Sequence, residues 1–252
     1  MGFRLTDYPI ALFAFSVVLL WLSAYAGSLL RRRLDEAARA DYSVVLGASL
    51  TLLGLLIGFS FSLSVSRYND RKNAEAAEAN AIGTEYLRLE LLPAAGAQSG
   101  RRLLREYTRQ RIVWYGETDS RTIAQTAAQT DQLGDKLWAV TRDAGRAKPS
   151  PITALVASGM NDVLNAEART AAAWLYRVPR SAWFLMFAIA VCANVLFGFS
   201  GHVPLRNHPI FVVFPVIVSI AFMLIADIDA PRTGFINVEP QNLETTLRSM
   251  QP

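Results

Sequence analysis

Apolar residues along this chain fall into four long runs, separated by one polar stretch and two short loops. The first run, Pro9 to Leu30, contains no charged residue and has the length of a bilayer span, roughly 20 residues. Ala24-Tyr25-Ala26 has the small-residue pattern of a signal-peptidase site. Against cleavage, the run continues to Leu30 and stops at Arg31-Arg32-Arg33, as a membrane boundary does. The second run, Val44 to Ser66, follows Asp41 and Ser43, both candidate N-caps. The third, Ser181 to Ser200, carries Trp183 where an interfacial aromatic would sit. The fourth, Pro209 to Ala226, contains Pro215 and ends at Asp227. Membrane helices tolerate such a proline when neighbours satisfy the freed carbonyl. A chain of 252 residues cannot cover four all-round apolar helices with a soluble shell. The pattern predicts an all-α integral membrane protein with four spans, at about 9–30, 44–66, 181–200 and 209–226.

Between the second and third runs the chain is polar and alanine-rich. It is broken at Pro93 to Gly96, at Tyr115-Gly116 to Ser120, and at Lys148-Pro149-Ser150-Pro151. The pieces between carry helical periodicity. From Ile152 onward Val156, Met160, Val163, Ala171, Trp174 and Val178 fall on one stripe; from Arg101 to Tyr115, Leu104, Tyr107 and Trp114 fall together, with the arginines elsewhere. No alternating strand pattern occurs. The predicted organisation is a membrane hairpin over 1–66, a helical extramembrane domain over 67–180, a second hairpin over 181–228 and an irregular tail over 229–252. Pro231, Gly234 and Pro240 forbid a long helix there before Gln241. Phe235, Ile236 and Val238 need apolar cover, so the tail is expected to wrap the helical domain, of its own or a neighbouring subunit.

The second helix does not end with its membrane run. No breaker follows Ser66 until Pro93, and Gly83 is the only weak helix former of note. One helix from Val44 to Leu92 is about 70 Å long at 1.5 Å per residue, far more than a bilayer needs. Stepping by three or four from Thr51 gives Leu55, Gly58 and Phe59, then Ser62, Ser66, Asn69, Asn73, Asn80 and Thr84. This stripe is apolar inside the membrane and uncharged-polar beyond it; Asp70, Glu78 and Glu85 lie on an adjacent face. Two readings fit. Small residues and asparagines serve close helix packing, or Leu55 and Phe59 form an apolar constriction that opens into a polar vestibule.

Composition narrows the chemistry. The chain is 52% hydrophobic and 18% charged, with a mean hydropathy of +0.24. The single cysteine, Cys192, excludes a disulfide scaffold and a thiolate metal centre. A formal charge of +4 is too diffuse for nucleic-acid binding. His202 and His208 are the only histidines. No phosphate loop, nucleophile elbow or two-histidine metal helix is present. Neither enzyme activity nor a cofactor or metal is predicted.

The stretch GLLIGFSFSLSVSRYNDRKNAEAAEANAIGTEYLRLELLP resembles the signature of the bacterial and plant bestrophin-like membrane proteins, and more distantly the bestrophin anion channels. There a glycine-containing second helix runs into an Arg-aromatic pair, as Gly58 to Arg67-Tyr68 does here, and then into a long cytosolic helix. Asp227 to Ile236 completes the pattern; the likeness is weak from Pro93 to Pro149. The resemblance implies a homo-oligomer, a pentamer in the bestrophins, with small anions passing an apolar neck on the second helix. By register from Arg67 the neck positions are Thr51, Leu55 and Phe59, Thr51 departing from an apolar neck. Ser62, Ser66, Asn69, Asn73 and Asn80 would line the vestibule. The acidic calcium cluster of animal bestrophins is missing after Arg232, and two carboxylates make a poor calcium site, so calcium gating is not expected.

Asp227 and Asp229 diverge on a continuing helix and are candidates to cap it or to pair with Arg67, Arg71 or Arg232. His202 and His208 flank a short loop. Asn194, costly against lipid, is expected to face another helix. Four spans put both termini and the helical domain on one side. Arg31 to Arg33 argue for short loops in the cytoplasm; the basic residues flanking the other ends, and the resemblance, put the helical domain and termini there, in a bacterial inner membrane. Two function classes remain from the sequence: an oligomeric ion channel, or a membrane scaffold or sensor whose helical domain binds a partner.

Overall fold

The computed structural model describes residues 4–30, 36–200 and 210–250, with backbone alone for 36–41, 200 and 210. Among these residues there is no strand. In chain order the helices are α1 (Pro9–Leu30), α2 (Glu36–Arg88), α3 (Ala94–Gly116), α4 (Ser120–Ala147), α5 (Pro151–Leu175), α6 (Arg180–Ser200), α7 (Ile210–Asp229) and α8 (Gln241–Ser249). They sort into two compact units, Tyr68–Tyr176 with Asn237–Pro252, and Gly2–Arg67 with Arg177–Ile236. His202, His208, the Arg31 to Arg33 run and the side chain of Asp41 lie outside the described residues.

The second unit holds α1, the apolar part of α2, α6 and α7; among the described residues four helices are long and apolar enough to cross a membrane. Its core joins Leu12 and Leu20 of α1, Leu53 of α2, Trp183, Met186 and Ala190 of α6, and Val218 and Phe222 of α7. Helix α1 packs on α6 and α7. At the α1–α6 crossing, a Cβ on Gly27 would overlap the Val195 carbonyl, and one on Gly198 would overlap the Ala24 carbonyl. This reciprocal pair lets two backbones touch, the close approach that small residues provide between membrane helices. Trp183 turns inward, 6.1 Å from the Phe222 ring, rather than out to an interface. Asn194 is buried and donates to the Ala190 carbonyl of its own helix at 2.8 Å.

The helical unit follows its breakers. Asp119 caps α4 by accepting from Arg121 N and Thr122 N at 3.0 and 2.9 Å. Ser150 and Thr153 form a capping box on α5 with Pro151 in its first turn. Leu104, Tyr107, Trp114, Leu137, Val156, Met160, Val163 and Trp174 share one core with Ile82 of α2 and with Leu89, just past its end.

Four expectations are corrected. Helix α2 already runs at Glu36, ahead of Asp41 and Ser43, because Glu36 to Ala40 is a run of strong helix formers. It yields at Leu89–Leu91 to a 3₁₀ turn before Pro93. Val178 leaves the α5 stripe, since α5 ends at Leu175, and it joins the membrane core instead. The tail is irregular only as far as Pro240; Leu243, Leu247 and Met250 then give α8 and its end an apolar face against the helical core.

Candidate functional site

Helix α2 is 53 residues long, and its two faces have opposite fates. On the membrane segment Thr51, Leu55, Gly58, Phe59, Ser62 and Ser66 are all exposed on the single chain, Leu55 at 52% and Phe59 at 64%. On the extramembrane segment Asn69, Asn73, Asn80 and Thr84 are likewise exposed. The Thr51 hydroxyl donates to the Gly47 carbonyl at 2.9 Å, so its polarity is satisfied within the helix. Among the described residues, and apart from the adjoining turns of α2 itself, no atom lies within 4 Å of a Cβ built on Gly47, Gly54 or Gly58.

The opposite face is anchored. Leu53, Ser60 and Ser64 are buried in the membrane unit, and Arg71, Glu75, Glu78, Ile82 and Glu85 in the helical unit. Glu78 is the hub of that unit. It accepts from Arg111 Nε at 2.5 Å, Arg111 Nη2 at 3.2 Å, Thr170 Oγ1 at 2.9 Å and Tyr115 Oη at 3.3 Å. Burial pulls the Arg111 pKa down, but the Glu78 carboxylate reverses that and holds the guanidinium charged. Arg111 lies over the Trp114 ring, 4.6 Å from its centroid. Arg111 is therefore a core residue, against the expectation that the arginines of its helix face away. The missed signal was spacing: Arg111 stands four after Tyr107 and three before Trp114, on their stripe.

Glu75 fastens the tail, accepting from Leu243 N at 2.9 Å and Asn242 Nδ2 at 2.6 Å, at the N-terminus of α8. Tyr86 Oη donates to the Met250 carbonyl at 2.8 Å. Glu85 is buried against Gly159, whose missing Cβ leaves room for the carboxyl, and neither carboxyl oxygen has a hydrogen-bond partner. Burial pushes its pKa up to about 8, against the pull of Arg88 and with a small push from Asp162. Glu75, Glu78 and Glu85 are thus buried within the helical unit, away from the exposed stripe.

At the end of α7, Asp227 accepts from Phe235 N at 2.7 Å and Ile236 N at 3.1 Å, closing the chain's exit from the last span. Gly234 sits where a Cβ would strike the Asp227 carbonyl. Asp229 accepts from Val178 N at 3.0 Å. Both aspartates are buried, as is Arg71, while Arg67 and Arg232 are half-buried. Asp7 pairs with Arg177, an ion pair that sequence reading did not anticipate because the partners lie far apart in the chain.

Four apolar spanning helices, the second prolonged into an all-helical domain that holds one face of it, define an integral membrane protein. The Bestrophin-like domain family matches residues 10–243, and the chain belongs to that family. Its fold is that of a bacterial bestrophin homologue from Klebsiella pneumoniae: 17% identity, TM-score 0.64, covering 94% of this chain and 96% of that one. A variant of that homologue gives a TM-score of 0.66 at 15% identity, over 94% and 96%. A structure described only as a membrane protein gives 0.65 at 15%, over the same shares. No curated protein matches the sequence.

Proposed function

We propose that the protein is a homo-oligomeric channel for small anions, a pentamer as in the bestrophins it resembles, with α2 of each subunit nearest the axis. One observation carries this reading. The face of α2 that begins at Thr51 is exposed in the protomer on both its membrane and extramembrane segments, while its opposite face is anchored residue by residue. Copies of that face around an axis would set rings of Leu55 and Phe59 as an apolar neck below Thr51 or above it. Such rings gate by excluding water. Ser62, Ser66, Asn69, Asn73 and Asn80 would follow as a vestibule of hydroxyls and amides, which can donate to an anion. Glu75, Glu78 and Glu85 do not oppose anions there, because their carboxylates are turned inward. In this reading the protein needs no cofactor and performs no catalysis; it sits in a bacterial inner membrane with the helical domain and both termini in the cytoplasm.

Thiol labelling tests it. Cys192 is exposed and is first replaced, giving a Cys192→Ser background. Asn69→Cys in that background, reconstituted in liposomes, should lose chloride flux on treatment with a bulky charged thiol reagent. Flux that is present and unchanged by complete modification would remove α2 from the pore. Absence of any flux from a folded, assembled protein would favour the scaffold.

A further inference from the structure

Between α3, α4 and α5 lies a cavity of about 410 Å³ whose lining includes Tyr107, Asp131, Asp135, Trp138, Asn161 and Glu167. It holds three carboxylates and no basic side chain. Asp131 and Asp135 are four apart, so they share one face of α4, where like charges repel. Glu167 approaches from α5, with Arg111 Nη1 3.5 Å behind its Oε1. That arginine is already engaged by Glu78. Burial above all, opposed by Arg111 and aided by Glu78 and Asp131, raises the Glu167 pKa, as suits a carboxyl short of positive charge.

Acidic side chains alone would mark only a solvated face. The second observation is Tyr107, which is 1% exposed, lines the cavity, and has a buried hydroxyl without a hydrogen-bond partner. A buried phenol normally finds one. Charges on Asp131 and Glu167, together with Glu78 and Arg111, act on that hydroxyl, while burial, the largest influence, keeps it protonated. It therefore sits near the carboxylates with an oxygen free to accept.

We infer that this cavity binds a small organic polyamine, its ammonium groups held by Asp131, Asp135 and Glu167, one N–H donated to Tyr107 Oη, and its methylene chain laid along Trp138. Ammonium next to an indole gains from cation–π attraction, and methylenes gain from apolar contact. A bare metal ion suits the place less: among the described residues no group of three or more His, Cys, Asp or Glu could hold one. The proposal does not depend on conduction.

The test is calorimetric titration of the full-length protein in uncharged detergent with spermidine, at ionic strength fixed with KCl, and with MgCl₂ in parallel. The expected result is saturable binding of one spermidine per chain that Mg²⁺ at equal charge does not displace. The double variant Asp131→Asn with Asp135→Asn, both exposed positions, should bind more weakly by roughly tenfold or more, about 1.4 kcal/mol. Tyr107→Phe should weaken binding less while keeping the stoichiometry. Spermidine binding unchanged in the double variant would place it elsewhere on the protein and overturn the inference. So would displacement by Mg²⁺, or the absence of saturable binding to a wild-type protein that is folded by its unfolding transition.

Discussion

The Glu78 carboxylate and the Arg111 guanidinium meet 2.5 Å apart with both side chains wholly out of solvent. The pair joins α2 to α3, and Thr170 joins the same carboxylate to α5. A helix held this way cannot turn about its axis without stranding a buried charge. The orientation of the exposed asparagines on its other side follows from that constraint.

Removing one partner leaves the other buried and uncompensated, at a cost of about 3–5 kcal/mol. Arg111→Met and Glu78→Leu should each lower the unfolding midpoint in detergent sharply. The double variant should recover most of the loss, since apolar replacement of a buried pair is often neutral. Additive losses in the double variant would show that the two residues do not act as a pair.

Glu75 supplies the negative charge at the start of α8, where helix N-terminal amides favour it. Glu75→Gln should cost about 1 kcal/mol, and Glu75→Ala more, because Asn242 loses its acceptor as well. Hydrogen exchange of the Gln241–Ser249 amides should quicken while that of α4 is unchanged. Equal protection in wild type and variant would mean that apolar packing of Leu243 and Met250 alone holds the tail.

Glu85 makes stability depend on pH. Its pKa rises from 4.5 to about 8 on folding, so between those values the folded state binds more protons than the unfolded. Stability is then greatest at the acid end and declines as pH rises through the window, by up to about 1.4 kcal/mol per unit, and levels off above it. Arg88 and Asp162 are the charges that face this carboxyl. The unfolding midpoint should fall between pH 5.5 and 8.5, and Glu85→Gln should flatten that part of the fall. A variant with the wild-type slope would assign it to other groups.

Much of the architecture was legible because its signals are local. Pro93, Gly116 and Pro151 punctuate the helical unit where the chain must break, and the uncharged stripe on α2 emerges from a step of three or four residues. What stayed hidden depends on distant partners. Arg111 stands among Arg101, Arg102, Arg105 and Arg109; spacing alone sets it on the Tyr107–Trp114 stripe, but Glu78, the partner that lets a charge be buried there, is on another helix. The burial of Glu75 and Glu85 depends on α8 and Gly159 being brought against them from elsewhere in the chain. The Asp227 bonds to Phe235 and Ile236 need the backbone turn itself, which composition around Gly234 suggests but does not define. The cavity beside Tyr107 draws on three helices and has no linear signature beyond the Asp131–Asp135 spacing.

The central claim is that Leu55 and Phe59 form the narrowest, driest part of a pore. Anion flux from liposomes containing purified protein, compared between wild type and Leu55→Ala with Phe59→Ala, tests it most directly. The account predicts higher flux in the variant, since alanine widens both rings, with the protein still folded and assembled. If the two residues instead pack against neighbours in a scaffold, truncation leaves cavities costing roughly 2–5 kcal/mol each. Lower stability with no gain in flux would contradict the channel.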